Sequence, residues 1–167
     1  MKAKLIVEGK ELEVEISEEE LKKLKEKKLY KTGYEKVPEG QDYYYATDGG
    51  DAEDYKEEWD YEVTEVAYEG ANYYSDKTVA VNNARADKLM RQLRRFSVEN
   101  RKEVVDYNDS VYEIYYDYDY NKLDINYVSI CKYIGAIPFD TYTTAKLAID
   151  TFRDELIWYF TEYKDSL

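Results

Sequence analysis

The chain has 167 residues, enough for one domain with a small appendage and for a core burying roughly 70% of the unfolded surface, and it carries a formal charge of −13 with 21 Tyr and no His. The missing His removes the usual general base, the Ser-His and Cys-His nucleophile pairs and the commonest zinc ligand. A single cysteine, Cys131, allows no intramolecular disulfide and fits a reducing compartment, and no leader-like opening or stretch of 18 apolar residues occurs, so a cytoplasmic protein that neither enters nor spans a membrane is expected.

Residues 2–16 alternate apolar and polar on either side of Gly9-Lys10, which predicts a tight β-hairpin. Ser17 with Glu20 forms a capping box for a helix at about 18–28, striped by Leu21 and Leu24. This ββα unit, residues 1–30, has too small a core to fold alone. Gly33, Pro38 and Gly40 mark residues 31–41 as a linker, and residues 42–167 as the main domain.

Tyr43, Tyr44 and Tyr45 open a strand that Asp48-Gly49-Gly50 ends. Residues 51–60, DAEDYKEEWD, have no clean period and read as an exposed acidic loop, whereas the Val and Tyr of 61–68 predict a strand. Residues 77–102 form an amphipathic helix capped by Ser75 or Asp76, with Ala86, Leu89, Leu93 and Phe96 as its apolar stripe. Three strands follow, 111–118, 123–130 and 133–139, the first two joined by a turn in which Asn121 accepts a left-handed conformation. A closing helix at about 142–163 starts from Thr141 or Thr143. The order β-β-α-β-β-β-α predicts an α+β fold, an antiparallel sheet covered by two amphipathic helices.

Chemistry is sparse. Cys131 lies in a strand-like run and reads as a small hydrophobe, and no Gly-rich phosphate cradle is present. Asp117-x-Asp119-x-Asn121 imitates a calcium loop, but Lys122 and Val128 occupy the positions that need Gly and Glu, so a hairpin turn is the better reading. Neither that run nor Asp48, Asp51, Glu53 and Asp54 has metal-ligand spacing. No metal and no cofactor is implied, and the protein is read as a non-enzyme, a carboxylate-based enzyme being the remaining catalytic alternative.

Charge is more informative. Residues 39–76 carry 13 acidic and one basic side chain, while residues 77–102 carry eight basic and two acidic. Arg85, Lys88, Arg91 and Arg95 share a helix face, and in so acidic a protein they are expected to neutralise neighbouring carboxylates. A nucleic-acid-binding regulator using Arg85, Arg91, Arg94 and Arg95 is the alternative.

The acidic segment is interleaved with aromatics from Tyr43 to Tyr74. Carboxylates repeated along strands make a dense negative array, and Tyr or Trp beside them supply anchors that stack on Arg. The expected partner is a nucleic-acid-binding protein whose basic groove this surface occludes as a nucleic-acid mimic. The contact residues are Asp51, Glu53, Asp54, Glu57, Glu58, Trp59 and Asp60, with Tyr55 as aromatic anchor. Simple solubility is the bland explanation of the same excess.

Residues 31–37 (KTGYEKV) with Gly40 and the Tyr run, Asn72-Tyr73-Tyr74 before KLMRQLRRF, then YYDYDYNKLDI and AIDTFRDELIWYFTEY, together resemble small accessory proteins carried by phages and prophages of Gram-positive bacteria. The resemblance implies a viral setting in the host cytosol and an anti-defence role such as an anti-CRISPR protein acting on a CRISPR effector nuclease. It carries no catalytic residues.

Overall fold

The computed structural model describes residues 2–7, 10–15, 17–19, 22, 32–38, 40–56, 61–102, 110–129 and 135–166. The elements are β1 (Lys2–Val7), β2 (Lys10–Glu15), β3 (Asp42–Ala46), β4 (Ala52–Lys56), α1 (Tyr61–Glu69), α2 (Lys77–Asn100), β5 (Ser110–Asp117), β6 (Lys122–Ser129), α3 (Tyr142–Thr151) and α4 (Arg153–Thr161). The fold is α+β. Among the described residues the strands form three two-stranded sheets: β1–β2, expected as a separate hairpin, and β3–β4 and β5–β6, where the pattern of residues 42–167 predicted one larger sheet.

Two compact units divide the chain: Met1–Tyr45 with Glu53–Ala80 and Ser166–Leu167, and Ala46–Ala52 with Val81–Asp165. In the first unit β1 and β2 pair antiparallel from Lys2↔Glu15 to Val7↔Lys10, the predicted hairpin, except that Lys10, expected in the connection, is the first residue of β2. Of the predicted helix at 18–28, residues 18, 19 and 22 are helical and the others lie outside the described residues.

The core of this unit is tyrosine-built. Tyr43 and Tyr73 are each 1% exposed and stack at 4.2 Å between ring centroids, with Val37 and Ala67 packed against them. A buried tyrosine needs a partner for its hydroxyl, and Tyr73 Oη accepts the Val37 N–H at 3.0 Å. Tyr44 and Tyr74 exchange backbone hydrogen bonds of 2.8 and 2.9 Å. The stretch read as a linker thus supplies core: Val37 is buried, and Gly33 has φ +86 with Val79 Cγ2 only 2.7 Å from where a Cβ would stand. Glycine is needed there both for the left-handed backbone and for the close approach.

Two expectations between residues 51 and 68 are corrected. Residues 52–56 form β4, paired with β3, where a loop was expected. Residues 61–69 are helical, not a strand, and turn Ala67 to the tyrosine core while Val66 stays 70% exposed. The helix ends where Ala71, at φ +55, donates its N–H to the Tyr68 carbonyl at 3.0 Å.

Asp76 caps α2, its carboxylate accepting the Thr78 and Val79 N–H groups at 2.7 and 3.0 Å. In the second unit, Leu89 and Leu93 of α2 join Phe139, Ala145, Ala148, Ile149 and Leu156 in an apolar core. β5 and β6 pair from Ser110↔Ser129 to Asp117↔Lys122, and Tyr112, Ile114, Leu123 and Ile125 pack on that core from one face. Asn121 adopts φ +50 in the turn, and Asp117 Oδ1 accepts the Asp119 and Tyr120 N–H groups at 3.0 and 3.2 Å. The calcium-like spacing is therefore the chemistry of a capped turn.

The third predicted strand, 133–139, reduces to an isolated bridge in which Phe139 exchanges two 2.9 Å hydrogen bonds with Tyr112. Its first two residues, with Cys131, lie outside the described residues. The closing helix is interrupted at Phe152, whose φ of −114° and ψ of +23° separate α3 from α4. Thr141 is the cap, accepting the Thr144 N–H at 3.1 Å.

Candidate functional site

The β3–β4 hairpin positions the acidic residues that can be placed. Its turn is closed by the Gly50 N–H on the Thr47 carbonyl at 3.1 Å and the Thr47 N–H on the Asp51 carbonyl at 2.7 Å. Asp48 and Asp51 on the turn, and Glu53 and Asp54 on β4, are all exposed. Tyr45 across the hairpin donates its hydroxyl to Glu53 Oε2 at 2.7 Å, which orients that carboxylate. Among the described residues no cation stands within 4 Å of these four carboxylates.

Of the predicted contact set, Glu53 and Asp54 are exposed on β4 in the first unit, and Asp51 is exposed on the turn, which belongs to the second. Tyr55 follows on β4, and Glu57, Glu58, Trp59 and Asp60 lie outside the described residues. Tyr43, Tyr73 and Tyr74 are buried and build the core of the first unit, so these three cannot anchor a partner; the expected anchor, Tyr55, has its side chain outside the described residues. The exposed tyrosines among the described residues include Tyr118, Tyr120, Tyr127 and Tyr142, on the β5–β6 hairpin and at the start of α3.

The basic helix is used unevenly. Arg85 grips Glu155 with two hydrogen bonds, Nε to Oε2 at 2.8 Å and Nη2 to Oε1 at 3.0 Å, while its guanidinium lies 3.9 Å from the Trp158 ring centroid. The pairing holds the Glu155 carboxyl below its ordinary range and the Arg85 guanidinium above its own. Arg85 is therefore not free to hold a phosphate.

Arg91 donates to the Asp48 backbone carbonyl at 3.0 Å and so fixes the acidic turn while leaving the Asp48 carboxylate open. Lys88 runs along Gly50: a Cβ at that glycine would sit 2.5 Å from Lys88 Cδ. Arg94 and Arg95 are exposed, Arg95 making only a loose 3.9 Å pair with Glu99. Compensation of carboxylates by the helix, expected from charge alone, is realised at Glu155, outside the acidic segment.

Among the described residues of the second unit are two cavities. One, of about 180 Å³, lies between Leu93, Phe139 and Phe160, with Glu113 on its wall, and burial pushes the Glu113 carboxyl up. The other, of about 310 Å³, is a groove between the last turns of α2 and residues 136–138. Sequence reasoning missed it, although Arg94, Val98 and Arg101 recur at i, i+4 and i+7 and place an apolar side chain between two cations.

Among the described residues no helix is long and apolar enough to cross a membrane, and no group of three or more His, Cys, Asp or Glu side chains is placed to hold a metal ion. No family model, curated protein or solved structure matches the chain.

Proposed function

We propose that this chain is a phage-encoded inhibitory binding protein, acting in the host cytoplasm, whose acidic hairpin enters the basic groove of a nucleic-acid-binding defence nuclease, as an anti-CRISPR protein would. The observation that carries the reading is the exposure of Glu53 and Asp54 on β4, with no cation of the described residues against them; on the turn, Asp48 and Asp51 are likewise exposed. A polyanion mimic needs its charges unneutralised and fixed. Glu53 and Asp54 on β4 are the negative points offered to a groove built for phosphates. Electrostatic steering then brings the partner in quickly.

The test is cleavage of target DNA by a panel of guide-loaded CRISPR nucleases from Gram-positive hosts, with and without the protein. Inhibition is expected against at least one, weakening at least tenfold in a D51K/E53K/D54K variant and as salt rises. Undiminished cleavage across the panel, or inhibition indifferent to the triple reversal, would falsify the reading.

The second reading, a nucleic-acid-binding regulator, retains Arg91, Arg94 and Arg95 but loses Arg85 to Glu155. Tight binding of duplex or single-stranded oligonucleotides in a gel shift at low salt favours it over the mimic.

A further inference from the structure

From the groove at the end of α2 we infer a binding site for a small amphipathic anion, an apolar body carrying one carboxylate or equivalent acid, independent of the acidic hairpin. The groove has a volume of about 310 Å³ and is walled by Arg94, Val98 and Arg101 on the helix and by Ala136, Ile137 and Pro138 opposite. Its walls are tied together. The Ser97 hydroxyl, 8% exposed as a residue, donates to the Pro138 carbonyl at 2.5 Å, and the Lys102 N–H donates to Asp140 Oδ2 at 2.6 Å.

The shape and the charge both select the ligand. Seven residues of α-helix span about 10.5 Å, so Arg94 and Arg101 stand at the two ends of an apolar floor whose middle is Val98. Val98 is 56% exposed, an aliphatic side chain left to water on the polar side of a helix. Neither arginine has a carboxylate within 4 Å among the described residues, although the chain carries 37 acidic side chains. An acid head can pair with either arginine while a hydrocarbon or aromatic body lies on Val98 and against Ile137 and Pro138.

Magnitudes separate this ligand from a nucleic acid. The Debye length is about 8 Å at physiological salt, so a molecule confined to the groove experiences Arg94 and Arg101 far more than remote carboxylates. A duplex or long single strand extends tens of ångströms beyond the groove and meets a protein of charge −13. The volume also lies at the lower end of the roughly 300–1,000 Å³ range of ligand sites, which favours a small ligand over a long acyl chain.

The experiment uses the whole chain and 1-anilinonaphthalene-8-sulfonate, an apolar anion whose fluorescence reports the site. Saturable binding is expected, displaced by decanoate but not by decylamine or by a 20-nucleotide single strand, and weakened by salt. Arg94→Gln with Arg101→Gln should weaken it at least tenfold, and Val98→Ser should weaken it several-fold. Arg95→Gln, on the same helix but outside the groove, should leave it unchanged. These side chains are exposed, and circular dichroism checks that the variants fold. Absence of saturable binding, equal displacement by the amine, displacement by the single strand, or binding indifferent to the double Gln variant would each overturn the site.

Discussion

Arg85 illustrates how a side chain expected to neutralise a carboxylate does so with a partner that local sequence does not name. On sequence it belongs to a cationic helix face; in the structure its fork closes on Glu155 and its plane lies over Trp158. The partner is 70 residues away in the chain, so no local pattern announces it. The pair is about two-fifths exposed on each side, and solvent screening limits its worth to about 0.5 kcal/mol. Its pH signature follows from the direction of the shift. Hydrogen bonding to Arg85 lowers the Glu155 pKa from 4.5 on folding, so the stabilisation is present above that ordinary value and disappears as pH falls through the lower folded one. Glu155→Gln is therefore expected to lower stability by about 0.5 kcal/mol in urea unfolding at pH 7, with the gap from the parent closing at acid pH. A gap that stays constant from neutral to acid pH would assign the effect to packing instead of charge.

At the scale of elements, α1 shows how propensity can lose to packing. Its Val, Thr and Tyr residues favour strand by increments within a scale spanning about 1 kcal/mol. A helical path buries Thr64 and turns Ala67 onto the Tyr43–Tyr73 stack. Burial of that face is a tertiary gain that the local sequence does not display. The end of the same helix carries a local cost, because Ala71 holds a left-handed φ of +55 where glycine is the usual residue. An L-residue with a Cβ is strained there by about 1 kcal/mol or more, so Ala71→Gly should raise the melting temperature by a few degrees despite the greater backbone entropy of glycine. A drop in melting temperature would mean that the Ala71 methyl makes a contact worth more than the strain. The interruption at Phe152 belongs to this scale as well. The apolar period continues unbroken through residues 142–163, which is why one helix was expected, and the break is visible only in the dihedral angles of Phe152.

For the whole molecule the governing quantity is the charge of −13. The carboxylates of the acidic hairpin have no cations of the described residues against them, so self-repulsion opposes the folded state at low ionic strength. Raising NaCl from about 10 mM to about 150 mM shrinks the screening length from about 30 to 8 Å and should raise the melting temperature by a few degrees, measured by differential scanning fluorimetry. A fall over that range would show that surface ion pairs, not repulsion, dominate the electrostatics of the protein.

What the sequence determined by itself were the features whose cause is local. The pairing of residues 2–7 with 10–15, the Asp76 and Thr141 caps, the apolar stripe of α2 and the Asn121 turn depend on residues a few positions apart, and each is where its pattern places it. Tertiary structure alone decided which tyrosines are core and which face water, because the ring is amphipathic and its fate depends on whether a partner such as the Val37 N–H is within reach of the hydroxyl. It likewise decided which arginines are occupied. Charge can be counted from a sequence, but whether a cation meets a carboxylate, a carbonyl or an open groove depends on residues brought together from far apart in the chain.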